Sequence, residues 1–158
     1  MKKICIFLVC LALFSCERFK VKKTTPEAIL KEELKTFNWD EVDTYPSFKA
    51  CDSSLIKQEQ KQCFEGVLRE HIMANLQKEI IVVTQDINDT ISLDFKVSEK
   101  GDLQLNDIQL DSITEKEIPN IKILLHKSLD SLPDIFPAVK RGQHVKTEFK
   151  LPIIINVN

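Results

Sequence analysis

The chain contains five cysteines and three histidines, the side chains best suited to metal or redox chemistry. Cys51, Cys63 and His71 lie near one another in sequence and could be considered as metal ligands. Their spacing matches no standard zinc pattern, and a fourth ligand is not evident. A thioredoxin-like redox site needs two cysteines separated by two residues, and Cys51 and Cys63 are farther apart. A disulfide between Cys51 and Cys63 is the third alternative, and it depends on the compartment in which the protein works.

The first sixteen residues have the composition of an export signal. Two lysines follow Met1, an apolar run occupies residues 4–14, and the small Ser15 stands before Cys16. This order is typical of a secretory signal peptide, and the run is shorter than the roughly 20 residues that span a bilayer. Residues 13–16, Leu-Phe-Ser-Cys, also resemble the lipobox of bacterial lipoproteins, which implies cleavage before Cys16 and acylation of its thiol. The alternative is an ordinary secretory signal beside a chance cysteine.

A lipid on Cys16 would anchor the chain to a membrane of the bacterial cell envelope, exposed to the periplasm or to the cell surface. Cys5 and Cys10 would leave with the signal peptide, residues 1–15, and the lipid would occupy Cys16. Cys51 and Cys63 then remain as an even pair in an oxidising compartment. Their number and location predict a structural disulfide.

The charge of the chain excludes one class of partner. The formal net charge is −2, and the loss of Lys2 and Lys3 with the signal makes it −4. Acidic and basic residues are mixed, without the concentrated basic face of nucleic-acid binders. We therefore expect no nucleic-acid partner. After a short basic tether at residues 16–24, the remaining length corresponds to one domain.

Candidate catalytic residues are few. The three histidines are far apart in sequence, and three aspartates could approach one another along a strand, where carboxylates are typical of the solvated face. These residues are His71, His126 and His144, and Asp86, Asp89 and Asp94. The sequence has no Gly-rich phosphate loop, nucleophile elbow or zinc-helix motif. We expect no enzymatic activity, cofactor, metal site or small-molecule substrate.

Helical periodicity marks three segments that would position these residues. The first covers about residues 25–37, with Thr25 as its cap and Pro26 in its first turn. An irregular aromatic segment follows, and we expect it to lie against the rest of the fold. The second and third helices are predicted from apolar stripes. These stripes are Phe64, Val67, Leu68, Ile72 and Leu76, and then Ile118, Ile121, Leu125, Leu129 and Leu132.

Alternating apolar residues predict an antiparallel hairpin over residues 91–110. Gly101 supplies the positive φ that its turn needs, and a shift of the apolar phase between Leu105 and Ile108 indicates a β-bulge. The β-branched residues 80–84 predict a further short strand.

A long final strand is predicted over residues 145–157. It contains Pro152, which cannot donate to a ladder and therefore favours an edge position. Together these elements predict an α+β fold, an antiparallel sheet of a hairpin plus the long C-terminal strand with two helices packed on one face.

Residues 63–158 resemble the C-terminal domain of TonB, the protein that couples the inner membrane to outer-membrane receptors. The resemblance is carried by residues 131–145, with their proline turn and basic-Gly element, and by Leu151-Pro152-Ile153. Residues 45–48, Tyr-Pro-Ser-Phe, together with Cys51 and Cys63, are similar to the lead-in of some TonB-like envelope proteins. This resemblance divides the chain into an N-terminal helix with an aromatic lead-in, residues 25–62, and a TonB-like domain, residues 63–158.

The chain departs from an energy transducer in two respects. It has no Pro-rich arm, and a lipid in one leaflet cannot engage a motor inside the membrane. Residues 75–88 also lack the proline and glycine that the family usually has there. The resemblance therefore implies the fold and binding mode of the domain without energy transduction.

In this family the final strand offers its edge to an extended peptide of a partner. The resemblance thus implies a non-enzymatic envelope lipoprotein that binds an envelope or outer-membrane protein. The expected edge residues are Val145, Thr147, Phe149, Leu151, Ile153 and Ile155. Three alternatives stay open: an edge that is blocked within the fold, a structural accessory subunit of an envelope complex, and a metal-dependent enzyme.

Overall fold

A computed structural model describes residues 37–38 by their backbone, and residues 41–51 and 56–157 in full. In chain order the elements are β1 (Phe37–Asn38), β2 (Ser47–Phe48), α1 (Lys57–Leu76), β3 (Ile87–Val97), β4 (Leu103–Gln109), α2 (Ser112–Glu117), α3 (Ile121–Lys127), β5 (Ile135–Phe136), β6 (Ala138–Lys140), β7 (Gln143–Val145) and β8 (Thr147–Val157). They form an α+β fold, which confirms the predicted class. The expected signal peptide, the tether, the lipid site at Cys16 and the predicted first helix before Phe37 lie outside the described residues.

The main sheet has four strands in the order β1-β8-β3-β4. β8 runs antiparallel to β3 along the whole length of both strands, from the pair Ile87–Val157 to the pair Val97–Thr147. β1 lies parallel to the first two residues of β8 on its other side. Two small ribbons complete the topology, one formed by β2 and β5 and one by β6 and β7.

One face of this sheet is buried under the helices and the other is open. β8 buries every second side chain as far as Ile155, and β3 does the same except at the half-buried Asp89, in agreement with their alternating sequences. α1 covers this face with Phe64, Leu68, Ile72 and Leu76, which recur every four residues and so share one side of the helix. α3 adds its buried residues Ile121, Leu124 and Leu125 to the same core.

Aromatic rings connect the lead-in to the middle of the sheet. Phe48 of β2 stacks on Phe64 of α1 with ring centroids 5.0 Å apart. Phe64 meets the edge of Phe149 at 5.6 Å, and Phe149 stacks on Phe95 at 5.4 Å. Because such ring pairs stabilise beyond their buried area, the aromatic lead-in belongs to the same core. It lies against the domain, as predicted.

The predicted hairpin and its bulge are both present. Gly101 in the turn has a φ of 93°. The register of β3 with β4 shifts between the pairs Asp94–Asp107 and Phe95–Leu105, which leaves Asn106 as the extra residue. The bulge therefore lies where the apolar phase changes in the sequence.

The third predicted helix is wrong in extent. The chain forms α2 before Pro119 and the short α3 after it, and Ile118 between them is not helical, with φ −125° and ψ 73°. Proline disfavours helical geometry in the residue before it. After Lys127 the chain tightens into turns, where the Ser128 hydroxyl donates to the Leu125 carbonyl at 2.6 Å. Leu129 lies in these turns, and Leu132 follows them, where its N–H donates to the Leu129 carbonyl.

The strand predicted over residues 80–84 is also wrong, since this segment has no strand partner among the described residues. The register explains the error. β3 begins at Ile87, whose partner Val157 is the last described residue of β8. Residues before Ile87 therefore run past the end of the neighbouring strand.

Candidate protein-binding edge of the sheet

The outer side of β8 is the longest accessible backbone edge near the predicted site. Among the described residues, this side pairs only at Thr147 and Glu148, with the two residues of β1. From Phe149 onward, β8 has β3 as its one described neighbour. An unpaired strand edge offers N–H and C=O groups to another extended chain.

The direction of each backbone group follows from Pro152. Pro152 stands opposite Ser92 in an unbroken ladder, although it has no N–H to exchange. Its carbonyl accepts a hydrogen bond from Arg69 Nε of α1 at 3.3 Å. The pair is therefore a non-hydrogen-bonded one, and the backbone of Pro152 faces outward. By the same alternation, the N–H and C=O groups of Lys150, Ile154 and Asn156 also face outward.

Pro152 and Arg69 together interrupt this edge. The proline removes one donor, and the Arg69 guanidinium covers the acceptor of the same residue. Proline and long cationic side chains are common devices by which proteins limit pairing along exposed edges. An incoming strand thus meets Lys150 on one side of the interruption and Ile154 and Asn156 on the other.

The six residues predicted as the binding edge have a different role in the fold. All six side chains are buried on the helix-covered face. They are Val145, Thr147, Phe149, Leu151, Ile153 and Ile155. Val145 belongs to β7, where it pairs with Ala138, and the other five alternate with the outward residues of β8. The backbone groups of these five residues bond to β3, so the five residues position the edge without forming it.

Sequence reasoning missed the residues that do form the edge, namely Lys150, Ile154 and Asn156. Glu148, Lys150 and Ile154 project from the open face of the sheet, and the Ile154 side chain is 60% exposed. Lys150 Nζ lies 3.4 Å from Asp94 Oδ2 of β3, and Lys96 Nζ lies 3.7 Å from Glu148 Oε1. Exposed ion pairs of this kind contribute little stability. Pro152 is the sequence feature that indicates these residues. Because it has no N–H to bond to β3, the residues two and four positions from it direct their backbone groups away from β3.

The predicted disulfide is present between Cys51 and Cys63, with Cα atoms 5.9 Å apart. It joins the end of the lead-in to α1 next to the stacked Phe48 and Phe64. Tyr45 of the lead-in also lies beneath Lys57 and Lys61 of α1, whose ammonium groups are 5.2 and 5.8 Å from its ring centroid. The disulfide and these cation–π contacts hold the lead-in on the helix.

The histidines and aspartates considered for catalysis do not converge. His71 Nε2 lies 3.4 Å from the Ser131 hydroxyl, Asp89 accepts the N–H of Asp111 at 2.9 Å, and Asp94 pairs with Lys150. Within residues 41–51 and 56–157, no three His, Cys, Asp or Glu side chains lie together so as to hold a metal ion. These hydrogen bonds and this ion pair are typical of side chains that stabilise a fold.

Glu117 and Lys127 contact the connection between α1 and β3 through their charged side chains. Glu117 accepts from the Thr84 N–H at 2.8 Å and from its hydroxyl at 2.7 Å, and these bonds lower the pKa of Glu117. The hydrogen bond and charge of Glu79, 2.9 Å from Lys127 Nζ, raise the pKa of Lys127. Both side chains are therefore charged at neutral pH.

Thr147 has a buried hydroxyl without a hydrogen-bond partner among the described residues. We expect Thr147→Val to raise the free energy of unfolding by about 1 kcal/mol, because valine keeps the shape and removes the unsatisfied group. Denaturant unfolding measures the change. Ser128→Ala is the matched control, since that buried hydroxyl does donate, to Leu125; its loss should destabilise by about 1 kcal/mol. Destabilisation by both substitutions would contradict the prediction.

The fold and this edge define an α+β domain in which the outer side of β8 pairs with no described residue beyond Glu148. No family model matches the chain, and no curated protein or solved structure is detectably similar to it. No described helix has the length and apolarity needed to cross a membrane.

Proposed function

We propose that this chain is a non-enzymatic lipoprotein of the bacterial cell envelope that binds another envelope or outer-membrane protein. Its TonB-like domain would receive an extended segment of that partner along the outer edge of β8. Lipid at Cys16 would hold the domain against a membrane. The observation that carries the proposal is the outward backbone of Lys150, Ile154 and Asn156, on a strand whose other side is fully paired with β3.

The affinity in this mode comes mainly from main-chain hydrogen bonds, so few particular side chains are required. Ile154 supplies an exposed apolar contact beside the edge, and Lys150 and Glu148 supply both charges. Pro152 and Arg69 restrict the site to a partner that can cross their interruption. This restriction favours a specific ligand over indiscriminate pairing with other strands.

A backbone test separates strand addition from side-chain contact. A photo-crosslinking amino acid at position 154 of the full-length chain, expressed in its own cells, should form a covalent adduct with one envelope protein. Lys150→Pro removes an outward N–H on an edge strand, where proline is tolerated. We expect it to lower the adduct yield by about tenfold, since a backbone hydrogen bond and its neighbours in the ladder are lost.

Lys150→Ala is the matched control, because it also removes the ion pair with Asp94 but keeps the backbone N–H. Its adduct yield should stay close to that of the parent chain. Thermal unfolding of the three proteins checks that the domain remains folded. Equal yields from Lys150→Pro and Lys150→Ala, or no adduct in the parent, would reject strand addition at β8.

The second candidate is a structural accessory subunit that binds a folded surface. It is favoured by exposed apolar side chains far from the β8 edge in sequence, namely Ile80, Val82, Ile113 and Ile123. Co-purification of one fixed partner that is lost on Ile123→Lys but kept by Lys150→Pro would support this role over the first.

A further inference from the structure

Arg69 carries a guanidinium group from α1 to the outer edge of β8. Its Nε–H donates to the Pro152 carbonyl at 3.3 Å. A guanidinium has further N–H groups on its Nη atoms. Among the described residues these groups have no hydrogen-bond or ion-pair partner, and the Nη atoms are not buried. They are therefore accessible to a ligand that approaches along the edge.

No carboxylate in the described part of the chain balances the charge of this guanidinium. Glu65 lies four residues before Arg69 and so on the same face of α1, yet the two side chains form no ion pair. Glu148 of β8 pairs with Lys96 on the open face of the sheet. Arg69 is half-buried, and a partly desolvated cation without a counter-charge favours an anionic ligand.

A strand added to β8 would compete with Arg69 for the Pro152 carbonyl. A neighbouring strand lies about 4.8 Å away and directs its own N–H groups at the outward carbonyls. At Pro152 the guanidinium already occupies that place. Strand addition therefore displaces Arg69 from its one described acceptor. A strand that offers no replacement acceptor binds more weakly for this reason.

The face of the sheet decides which partner residues can supply the replacement. Residues opposite one another in a sheet project from the same face. The partner residue opposite Pro152 therefore projects from the open face, away from α1. The partner residues opposite Leu151 and Ile153 project from the helix-covered face, on the side of Arg69. A carboxylate is the best acceptor there, because it can accept two parallel N–H bonds from one guanidinium.

We propose that Arg69 selects a partner strand with an aspartate or glutamate side chain next to the position opposite Pro152. Such selection rests on strand addition at β8, the function proposed above, and specifies the chemistry of the segment that binds there. A neutral strand loses the hydrogen bond between Arg69 and Pro152 without compensation. An acidic strand exchanges this bond for a charge-assisted pair, so Arg69 excludes one class of strand and accepts the other.

Peptide selection tests the preferred chemistry. Random peptides of about ten residues, the length of a long strand, are displayed on phage and selected on the full-length chain in detergent. Peptides that bind by strand addition are those whose affinity falls by about tenfold on Lys150→Pro relative to Lys150→Ala. We expect these peptides to share an aspartate or glutamate at one position.

A double-mutant cycle assigns this preference to Arg69. Fluorescence anisotropy measures the dissociation constants of one selected peptide and of its variant with the acid replaced by the matching amide. The replacement should weaken binding to the parent chain by about tenfold, but binding to Arg69→Gln by less than about twofold. The ratio of the two constants within one protein is the readout, because loss of the bond to Pro152 affects both peptides alike.

Two further variants separate the guanidinium from positive charge in general. Arg69→Lys keeps the charge without the planar fork, so the ratio should fall to about threefold. Lys96→Gln removes a cation from the open face of the sheet, and the ratio should stay at about tenfold because the acid faces α1. Thermal unfolding of each variant checks that the domain is folded.

The outcomes distinguish selection by Arg69 from strand addition itself. Peptides that depend on the Lys150 N–H but show no acidic preference would overturn the role of Arg69 and leave strand addition intact. The same conclusion would follow from equal ratios in the parent and Arg69→Gln. Peptides that bind Lys150→Pro and Lys150→Ala equally, or a selection without binders, would reject strand addition at β8 and the selection by Arg69 with it.

Discussion

Gly101→Ala should be among the most damaging single substitutions in the domain, lowering the free energy of unfolding by about 2–4 kcal/mol. Two effects add at this position. Gly101 has a φ of +93°, which alanine rarely adopts, and an alanine Cβ would lie 2.0 Å from the carbonyl oxygen of Ile135. That oxygen belongs to the backbone of β5, which pairs with β2. Relief of the clash must therefore displace a ribbon of the core.

Two other glycines provide matched controls for the same substitution. Gly142 also has a positive φ, +75°, but a Cβ there would meet nothing within 4 Å. Gly142→Ala should therefore cost only the backbone strain, about 1 kcal/mol. Gly66 lies within α1 with free space around it. Gly66→Ala should stabilise by about 0.5–1 kcal/mol, because alanine favours a helix.

Urea unfolding of the parent and the three variants measures these differences. The order of stability should be Gly66→Ala, parent, Gly142→Ala and Gly101→Ala. Equal losses of unfolding free energy in Gly101→Ala and Gly142→Ala would show that the backbone near Ile135 moves aside without cost. The contact between the hairpin turn and β5 would then not be rigid.

Removal of the disulfide should have an effect of similar size. Cys51 and Cys63 are 12 positions apart in the sequence, and closing a loop of that length stabilises by about 3 kcal/mol in the chain-entropy description. The double variant Cys51→Ser/Cys63→Ser should therefore melt roughly 10 °C below the parent. The loss should appear first at the lead-in, where Tyr45 and Phe48 are held on α1.

The parent treated with a reductant is the control for this variant, because it loses the same bond without a change of sequence. Both should unfold at the same temperature within about 2 °C, a small part of the expected shift. Amide hydrogen exchange that is faster in residues 44–48 than in β3 would show that the lead-in is the part that loses stability. A double variant that melts with the oxidised parent would show that packing alone holds the lead-in in place.

Much of the architecture could be read from local patterns. The alternation in β3 and β8, the four-residue spacing in α1 and the phase shift that marks Asn106 all depend on neighbouring residues in the chain. The structure bears out each of them. The helix predicted from Ile118 to Leu132 is present only as the shorter α3, residues 121–127, because Pro119 keeps Ile118 out of helical geometry.

The sequence predicts the strand that carries the candidate site but not which of its backbone groups face outward. The apolar pattern predicts an edge at Phe149, Leu151 and Ile153, whose side chains are buried. The binding groups of an edge are N–H and C=O groups, and their direction depends on which neighbour each residue is bonded to. Arg69 contacts Pro152 from 83 residues away, and no local pattern indicates that contact.

The sequence by itself determined the class of fold, the disulfide, the hairpin turn at Gly101 and an edge position compatible with Pro152. Each of these follows from short-range constraints: side-chain period, allowed φ, a missing N–H, or an even pair of cysteines in a chain expected to be exported. The tertiary structure decided which backbone groups of β8 face outward and that the β-branched residues 80–83 pair with no described strand. Both depend on the register between β3 and β8, which sets where each strand ends. Contacts between residues far apart in the sequence determine that register.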